Sequence, residues 1–336
     1  MLLDLAVMLI AAVAAFAVTS LVRRNAQRLG VVQSPNARSS HSVPTPSGGG
    51  VGIVAGGTIA MAVAALAAPS PYGIVGLIAV VVAAIGFFDD RRPIAARYRL
   101  PMQLVLAGIA VGLCVPLGAL RQQTGLPLPE LVIGALALVA VVYWLNLFNF
   151  MDGIDGIAGS QAIFMVLAAA FLLSPPFGPT FWPLLAIAGA TAGFLVLNWP
   201  PAKIFMGDAG STYLGFTIAV LALITIAAGQ ISLPQWLILG AAFITDATVT
   251  LVRRVLNRER VFEAHRRHAY QALSRRWQSH RKVTLAFIAL NLIWLLPLAY
   301  IAGLAGWGWP AVLIAYLPLI GLALYFRAGA PEAAPA

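Results

Sequence analysis

Long apolar segments alternate with short polar segments along almost the whole chain. A helix that crosses a bilayer needs about 20 predominantly apolar residues. The pattern therefore predicts an all-α, polytopic integral membrane protein in which residues 1–336 form a single membrane-embedded domain. Eleven segments are candidates for membrane-spanning helices: Leu3–Val22, Val51–Ala68, Tyr72–Phe88, Leu100–Leu117, Leu131–Phe148, Ser160–Leu173, Phe181–Leu197, Thr212–Ala228, Leu233–Val252, Val283–Gly303 and Trp309–Phe326.

The composition agrees with this interpretation, because 61% of the 336 residues are hydrophobic and only 10% are charged. Soluble globular domains carry roughly 25% charged residues. The first residues carry the acidic Asp4, whereas the basic Arg23 and Arg24 follow the first apolar segment. That order is the reverse of a signal peptide and favours an uncleaved first helix. The single Cys114 excludes a disulfide framework and is interpreted as a small buried hydrophobe.

The basic residues indicate how the helices are oriented. When the loops are assigned alternately to two sides, 20 of the 21 Lys and Arg residues fall on one side and only Arg121 falls on the other. Loops rich in Lys and Arg remain in the cytoplasm. We therefore predict a periplasmic N-terminus and a cytoplasmic C-terminus. The net charge of +10 reflects this topology and needs no nucleic-acid partner.

Aspartates gather at the predicted cytoplasmic helix ends, most densely between Asn146 and Gly156. Asn149, Asp152 and Asp155 recur there every three residues, without a Lys or Arg in the stretch. If the stretch is helical, these side chains project from one face. Acids at a membrane surface without a local cation need a partner, such as a divalent metal or a polar ligand, and oxygen ligands suit Mg²⁺. A polar helix cap would explain only one of the acids.

Two earlier inner loops carry weaker signals. Asp89 and Asp90 are adjacent like charges, which must share a cation or a proton. The alternative, given equal weight, is a charged helix end paired with Arg91 and Arg92. The glycines Gly48–Gly50 could present N–H groups to a phosphate at the start of the second helix, although a plain turn is the favoured interpretation.

The fourth inner loop runs from Asn198 to Ser211. Lys203 is its only cation, and Phe205 could stack on a planar base or ring. Asp208 lies next to two glycines just before a predicted helix, where it is either a ligand or the helix N-cap.

The fifth inner loop is long and basic and follows Asp246. His265 and His268 would share a helical face with an i, i+3 spacing, and Arg266 and Arg267 lie between them. Arg and His match a diphosphate better than they match zinc, for which a pair of His is a weak signal. A surface helix that binds anionic lipid would explain the arginines but not the two His.

Together these stretches resemble the polyprenyl-phosphate N-acetylhexosamine-1-phosphate transferase superfamily, glycosyltransferase family 4. The resemblance spans nearly the whole chain in order. Each stretch alone is a weak signal, whereas five in register are specific. The matching stretches are Pro44–Gly49, Asp89–Asp90, Asn146–Gly156, Asn198–Ser211 and Asp246–Gln271.

The resemblance implies a Mg²⁺-dependent enzyme, with Mn²⁺ as an alternative metal, at the cytoplasmic face of a bacterial inner membrane. Such an enzyme transfers an N-acetylhexosamine 1-phosphate, or a 6-deoxy relative, from a UDP-sugar to undecaprenyl phosphate and releases UMP. The implied metal ligands are Asn149 and Asp208. The implied catalytic residues are Asp89, Asp90, His265 and His268. The implied substrate-binding residues are Asn146, Asp152, Asp155, Asn198, Lys203, Phe205, Arg266 and Arg267.

Three departures separate the chain from the muramoyl-pentapeptide branch, which has Lys after the Asp pair, Lys before the Pro-Thr segment and three successive His. Here Arg91-Arg92-Pro93, Ser42-Val43 and His265-Arg-Arg-His268 occupy those places, so we predict the O-antigen-initiating branch. One alternative is an intramembrane prenyltransferase, which would leave Phe205–Ser211 unexplained. Another is a transporter, whose coupling residues would lie near the midplane. The oligomeric state stays open, with a homodimer among the alternatives.

Overall fold

The computed structural model describes residues 2–34, 43–67, 71–173, 180–259 and 265–330. Within these residues the chain is almost entirely helical. Two short antiparallel strands, β1 (Val32–Gln33) and β2 (Thr45–Pro46), pair before the second helix. The helices are α1 (Leu2–Leu29), α2 (Val51–Ala67), α3 (Tyr72–Arg91), α4 (Ala96–Cys114), α5 (Leu117–Thr124), α6 (Glu130–Phe150), α7 (Ile157–Leu172), α8 (Phe181–Asn198), α9 (Gly207–Ala227), α10 (Leu233–Leu239), α11 (Ala241–Leu256), α12 (Ala269–Trp277), α13 (His280–Leu290), α14 (Leu296–Ala302) and α15 (Gly308–Tyr325).

The helices confirm an α-helical polytopic membrane protein. Among the described residues, seven helices are long and apolar enough to cross a bilayer, or nine if each of two bent pairs counts as one span. The predicted spans Val51–Ala68 and Ser160–Leu173 coincide with the two remaining apolar helices, α2 and α7, which are shorter. The count of eleven spans and the orientation of the bundle stay predictions.

Two predicted spans are bent rather than straight. The segment Leu100–Leu117 extends over α4 and α5, which meet at 87°. Pro116 lies at the bend, where its missing N–H ends the helical ladder. The segment Leu233–Val252 is divided at Gly240 into α10 and α11, which meet at 76°. Trp144 packs so closely there that a Cβ on Gly240 would lie 2.6 Å from its ring.

The predicted span Val283–Gly303 contains a π-helical turn, Asn291–Leu295, between α13 and α14. Pro297 follows that turn. Prolines and π-helical turns are both usual causes of a helix distortion. The Asn291 side chain donates to Gln161 Oε1 at 2.7 Å, and Gln161 Nε2 donates to the Leu239 carbonyl at 3.0 Å. This chain of hydrogen bonds connects the π-helical turn and α7 to the bend between α10 and α11.

Helix α9 lies at the centre of the bundle, and nearly all of its side chains are buried. It packs against α3, α5 and α6. Gly86 of α3 permits a close approach, because an added Cβ would lie 2.5 Å from the Asp208 carbonyl oxygen. The first turn of α9, with Asp208, is therefore held in a fixed place between neighbouring helices.

Candidate active site

The first turn of α9 receives a cap from another helix. Asp90, in the last turn of α3, accepts the Asp208 N–H at 3.0 Å through Oδ1 and the Ala209 N–H at 3.4 Å through Oδ2. The first N–H groups of a helix have no partner inside the helix. Asp90 satisfies them, so the interpretation of Asp208 as the N-cap is wrong. The Asp208 side chain is left to face the other polar groups of the site.

Asn149, in the last turn of α6, contacts that side chain. Its Nδ2 donates to Asp208 Oδ1 at 2.9 Å and to Ser211 Oγ at 2.9 Å. The two residues that the resemblance implies as metal ligands are therefore adjacent, although they lie 59 positions apart in the sequence.

Arg99, in the first turn of α4, supplies a positive charge to the same place. Its Nη1 forms an ion pair with Asp89 and lies 3.4 Å from Asp208 Oδ2. The interpretation of Asp89 as a helix end paired with Arg91 and Arg92 is therefore wrong in its choice of arginine, because both of those side chains are exposed. In the sequence, Arg99 is visible only as one of the basic residues that indicate the orientation of the helices.

The donor set fits a metal held jointly with a substrate. Among the described residues, no group of three or more His, Cys, Asp and Glu side chains is arranged to hold a metal ion. Mg²⁺ usually keeps several waters and binds one or two carboxylates together with phosphate oxygens. The Asp208 carboxylate and the Asn149 carboxamide offer oxygen donors of that kind. They would hold Mg²⁺ together with oxygens of a bound substrate, whereas a site made of protein ligands alone does not fit.

The expectation that Asn149, Asp152 and Asp155 share one helical face is wrong. Helix α6 ends at Phe150, and the two acids lie in the turn before α7. Asp155 turns away from Asn149, and its Oδ2 accepts the Ala202 N–H at 3.0 Å. Burial, together with the negative charges of neighbouring aspartates, raises the pKa of Asp152 well above its usual range. The stretch thus divides into a part near Asp208 and a part near the fourth loop.

Asn198 joins the third and fourth loops. Its Oδ1 accepts the Gly156 N–H at 3.0 Å, and its Nδ2 donates to the Ile204 carbonyl at 2.9 Å. The side chain is 3% exposed, so both ends of the carboxamide serve loop structure. Lys203 is exposed on the same loop.

The glycines before α2 hold the fourth loop in place. Gly49 N–H donates to the Phe205 carbonyl and Gly50 N–H to the Met206 carbonyl, both at 2.9 Å. Phe205 N–H returns a bond to the Pro46 carbonyl at 2.8 Å. Because these N–H groups are used for packing, the structure supports the favoured turn over a phosphate cradle.

The two candidate His side chains precede α12, which begins at Ala269, so the expected shared helical face is wrong. Their rings nevertheless stack, with centroids 4.9 Å apart for His265 and His268. Asp246 of α11 lies 3.3 Å from His268 Nδ1 and accepts the N–H groups of Ala269 at 2.8 Å and Tyr270 at 2.9 Å. Asp246 therefore caps α12 and orients His268. Residues 260–264 of this loop lie outside the described residues.

Burial keeps the His265 ring neutral. It lowers the pKa of His265 to about 3, with a further contribution from neighbouring His268 and nearby arginines. Arg267 lies 2.6 Å from Glu259 Oε2 in an ion pair. Arg266 lines a separate polar cavity. The two arginines between the His residues therefore do not act as one group.

An apolar cavity of about 360 Å³ lies between α4, α6 and α11. Its polar lining includes Arg99, Asn146, His265 and His268. Asn146 also donates to Gln103 Oε1 at 2.8 Å. The cavity thus places an apolar surface next to the side chains that surround Asp208.

A polar cavity of about 590 Å³ lies on the other side of the third loop. Its lining includes Asp155, Arg266, Arg275, His280 and Arg281. Sequence reasoning missed His280, which lies in the first turn of α13 beyond every recognised stretch. Nothing in its spacing pointed to Asp155.

Comparisons with known proteins show which family the chain resembles. The family profile of glycosyl transferase family 4 matches residues 72–226, which include Asp89, Asp90, Asn149 and Asp208. A probable undecaprenyl-phosphate N-acetylglucosaminyl 1-phosphate transferase of Bacillus subtilis is 29% identical over 82% of this chain and 78% of its own length.

Several further relatives exceed 30% identity. The decaprenyl-phosphate N-acetylglucosaminephosphotransferase of Mycobacterium tuberculosis is 32% identical over 82% of this chain and 77% of its own length. The phospho-N-acetylmuramoyl-pentapeptide-transferase of Moorella thermoacetica is 34% identical over 76% of this chain and 84% of its own length. The N-acetylglucosamine-phosphate transferase and the muramoyl-pentapeptide transferase are matched at similar identity. The assignment of the chain to one branch of the family therefore stays a prediction.

Proposed function

The chain belongs to glycosyl transferase family 4, and from that premise we propose that it transfers a sugar 1-phosphate from a UDP-sugar to undecaprenyl phosphate and releases UMP. The sugar is an N-acetylhexosamine or a 6-deoxy relative. The names of the Bacillus subtilis and Mycobacterium tuberculosis relatives support a polyprenyl-phosphate acceptor. The reaction would be the first membrane step of O-antigen or other cell-envelope polysaccharide synthesis.

One observation carries the proposal. The Asp208 side chain meets Asn149 at 2.9 Å and Arg99 at 3.4 Å, and Asp90 fixes the backbone beneath it. This cluster adjoins the apolar cavity of about 360 Å³ through Arg99. Oxygen donors, a cation and an apolar surface in contact suit a reaction between a lipid phosphate and a soluble diphosphate.

Different residues serve the attacking phosphate and the leaving group in the proposed reaction. The attacking lipid phosphate is largely anionic near neutral pH, because the second pKa of a phosphate monoester is about 6, and it scarcely needs a strong base. Bound Mg²⁺ would neutralise the diphosphate and the departing UMP. Asp208 and Asn149 would hold that ion. Asp89, paired with Arg99, orients the guanidinium toward the lipid phosphate.

The cavity provides a place for the acceptor. Its apolar wall from α4, α6 and α11 suits the first isoprene units, and Arg99, Asn146 and the His pair face the phosphate end. Neutral His265 donates or accepts hydrogen bonds there without adding charge. The donor approaches from the side of Asp155 and the fourth loop, at the face that the basic loops predict to be cytoplasmic.

A donor screen tests the proposal. The purified protein in undecaprenyl-phosphate vesicles is incubated with Mg²⁺ and each of several UDP-N-acetylhexosamines and 6-deoxy relatives. We expect UMP release and a lipid-linked diphosphate sugar with at least one donor. Inorganic diphosphate release from a polyprenyl diphosphate would instead identify a prenyltransferase. Absence of UMP with every donor, while the Bacillus subtilis relative is active in parallel, would refute the proposal.

A further inference from the structure

Helix α13 holds the third inner loop through two side chains. His280 Nδ1 accepts the Asp155 N–H at 3.4 Å and lies 3.2 Å from Asp155 Oδ2. Thr284, one turn later, donates its hydroxyl to the Asp155 carbonyl at 2.9 Å and is fully buried. The side chain, the N–H and the carbonyl of one residue are thus all engaged by one helix.

Asp155 also connects two loops. Its Oδ2 accepts the Ala202 N–H at 3.0 Å, and the neighbouring Gly156 N–H donates to Asn198 Oδ1 at 3.0 Å. The same carboxylate oxygen therefore meets His280 on one side and the fourth loop on the other. A carboxylate fixed between two partners loses the rotamer freedom that a surface Asp keeps.

We propose that His280 is a positioning residue of the donor site, which holds the Asp155 backbone so that its carboxylate accepts the Ala202 N–H, and so sets the spacing of the third and fourth loops. This inference rests on the proposed function, because it assigns that spacing to the UDP-sugar. His280 lies outside the family-matched residues 72–226. It lines the polar cavity of about 590 Å³ with Arg266 and Arg281, so it acts at the edge of a space open to a ligand.

The contacts predict which kinetic constant changes. His280 reaches Asp155, which in turn reaches Ala202, whereas Asp208 is held by Asn149, Arg99 and Asp90. Loss of His280 should therefore weaken donor binding and leave the chemical step nearly intact. A lost hydrogen bond between a backbone N–H and a ring nitrogen corresponds to a loss of affinity of about twofold to tenfold.

Three variants and a matched control test the role. In His280→Ala we expect the KM for the UDP-sugar to rise about twofold to tenfold, with kcat changed less than the KM. His280→Gln, whose Oε1 can still accept the Asp155 N–H, should recover most of the affinity. Thr284→Val should raise the KM more weakly. Lys282→Gln, an exposed change in the same helical turn, should match the wild type.

A double-mutant cycle decides whether His280 acts through Asp155. We expect Asp155→Asn and His280→Ala together to raise the KM by no more than the larger single effect, because neighbours in one network are not additive. A KM that is unchanged in His280→Ala would overturn the inference. So would a KM that rises in the double variant by the product of the two single effects.

Amide hydrogen exchange separates this inference from the proposed function. His280→Ala should speed exchange at Gly156 and Ala202 relative to Lys282→Gln, whether or not a donor is turned over. If the wild type releases no UMP and these amides still respond, the proposed function fails while the positioning contact stands. If the wild type is active and both amides and the KM are unaffected, the positioning role alone is wrong.

Discussion

Replacement of Asp246 should loosen the segment that carries the His pair. Asp246 is 4% exposed and accepts the N–H groups of Ala269 and Tyr270 at 2.8 and 2.9 Å. It also lies 3.3 Å from His268 Nδ1. In Asp246→Ala, the two N–H groups at the start of α12 lose their acceptor, and the His268 ring loses the partner that sets its orientation.

The free-energy cost of Asp246→Ala follows from these contacts. Each buried N–H left without an acceptor costs about 1–3 kcal/mol, so the pair amounts to about 2–6 kcal/mol. Because every 1.4 kcal/mol corresponds to a factor of ten, α12 should open about 30-fold to more than a thousandfold more often. Asp246→Asn keeps one carbonyl oxygen for one of the two N–H groups, and its cost should be about half.

Amide exchange of α12 and UMP release measure the two consequences in the same samples. We expect faster exchange at Ala269 and Tyr270 and a large loss of kcat in Asp246→Ala, with intermediate values in Asp246→Asn. Glu130→Gln, an exposed acid at the start of α6, serves as the control. Unchanged exchange in Asp246→Ala would show that the cap is not what orders the His segment. Faster exchange with full activity would remove His268 from the reaction.

Three further outcomes are expected. Asp208→Ala should abolish turnover while the protein still folds and inserts, and normal UMP release in this variant would remove Asp208 from the site. Removal of divalent ions with EDTA should stop the reaction, and addition of Mg²⁺ should restore it; continued turnover in EDTA would contradict the metal assignment. Since the folded-state pKa of His265 is about 3 and the unfolded value is about 6.5, the unfolded chain binds the extra proton between those values, and stability falls as the pH drops below about 6.5. The thermal midpoint of the wild type should therefore decrease more between pH 7 and pH 5 than that of His265→Asn, and equal decreases would refute a neutral His265.

Local sequence determined the helices and most of the chemistry. All eleven predicted apolar segments lie on helices, because a run of apolar side chains long enough to cross a bilayer leaves the backbone few other ways to satisfy its hydrogen bonds. Asn149 and Asp208 were identified from the resemblance, and the structure brings their side chains into contact. The bends at Pro116 and Gly240 had local signals, but their angles depend on neighbours such as Trp144.

Only the tertiary structure decided which polar groups meet. Asp90 caps α9 across 118 positions of sequence, and Arg99, not its nearer neighbours, pairs with Asp89 and Asp208. Asp155 separates from Asn149 because α6 ends between them, and His280 reaches it from 125 positions away. Periodicity and hydrophobicity are properties of a short stretch, whereas the partner of a charge is set by how helices pack. The sequence therefore determined which residue types carry the chemistry, and the packing around α9 determined the pairs in which they act.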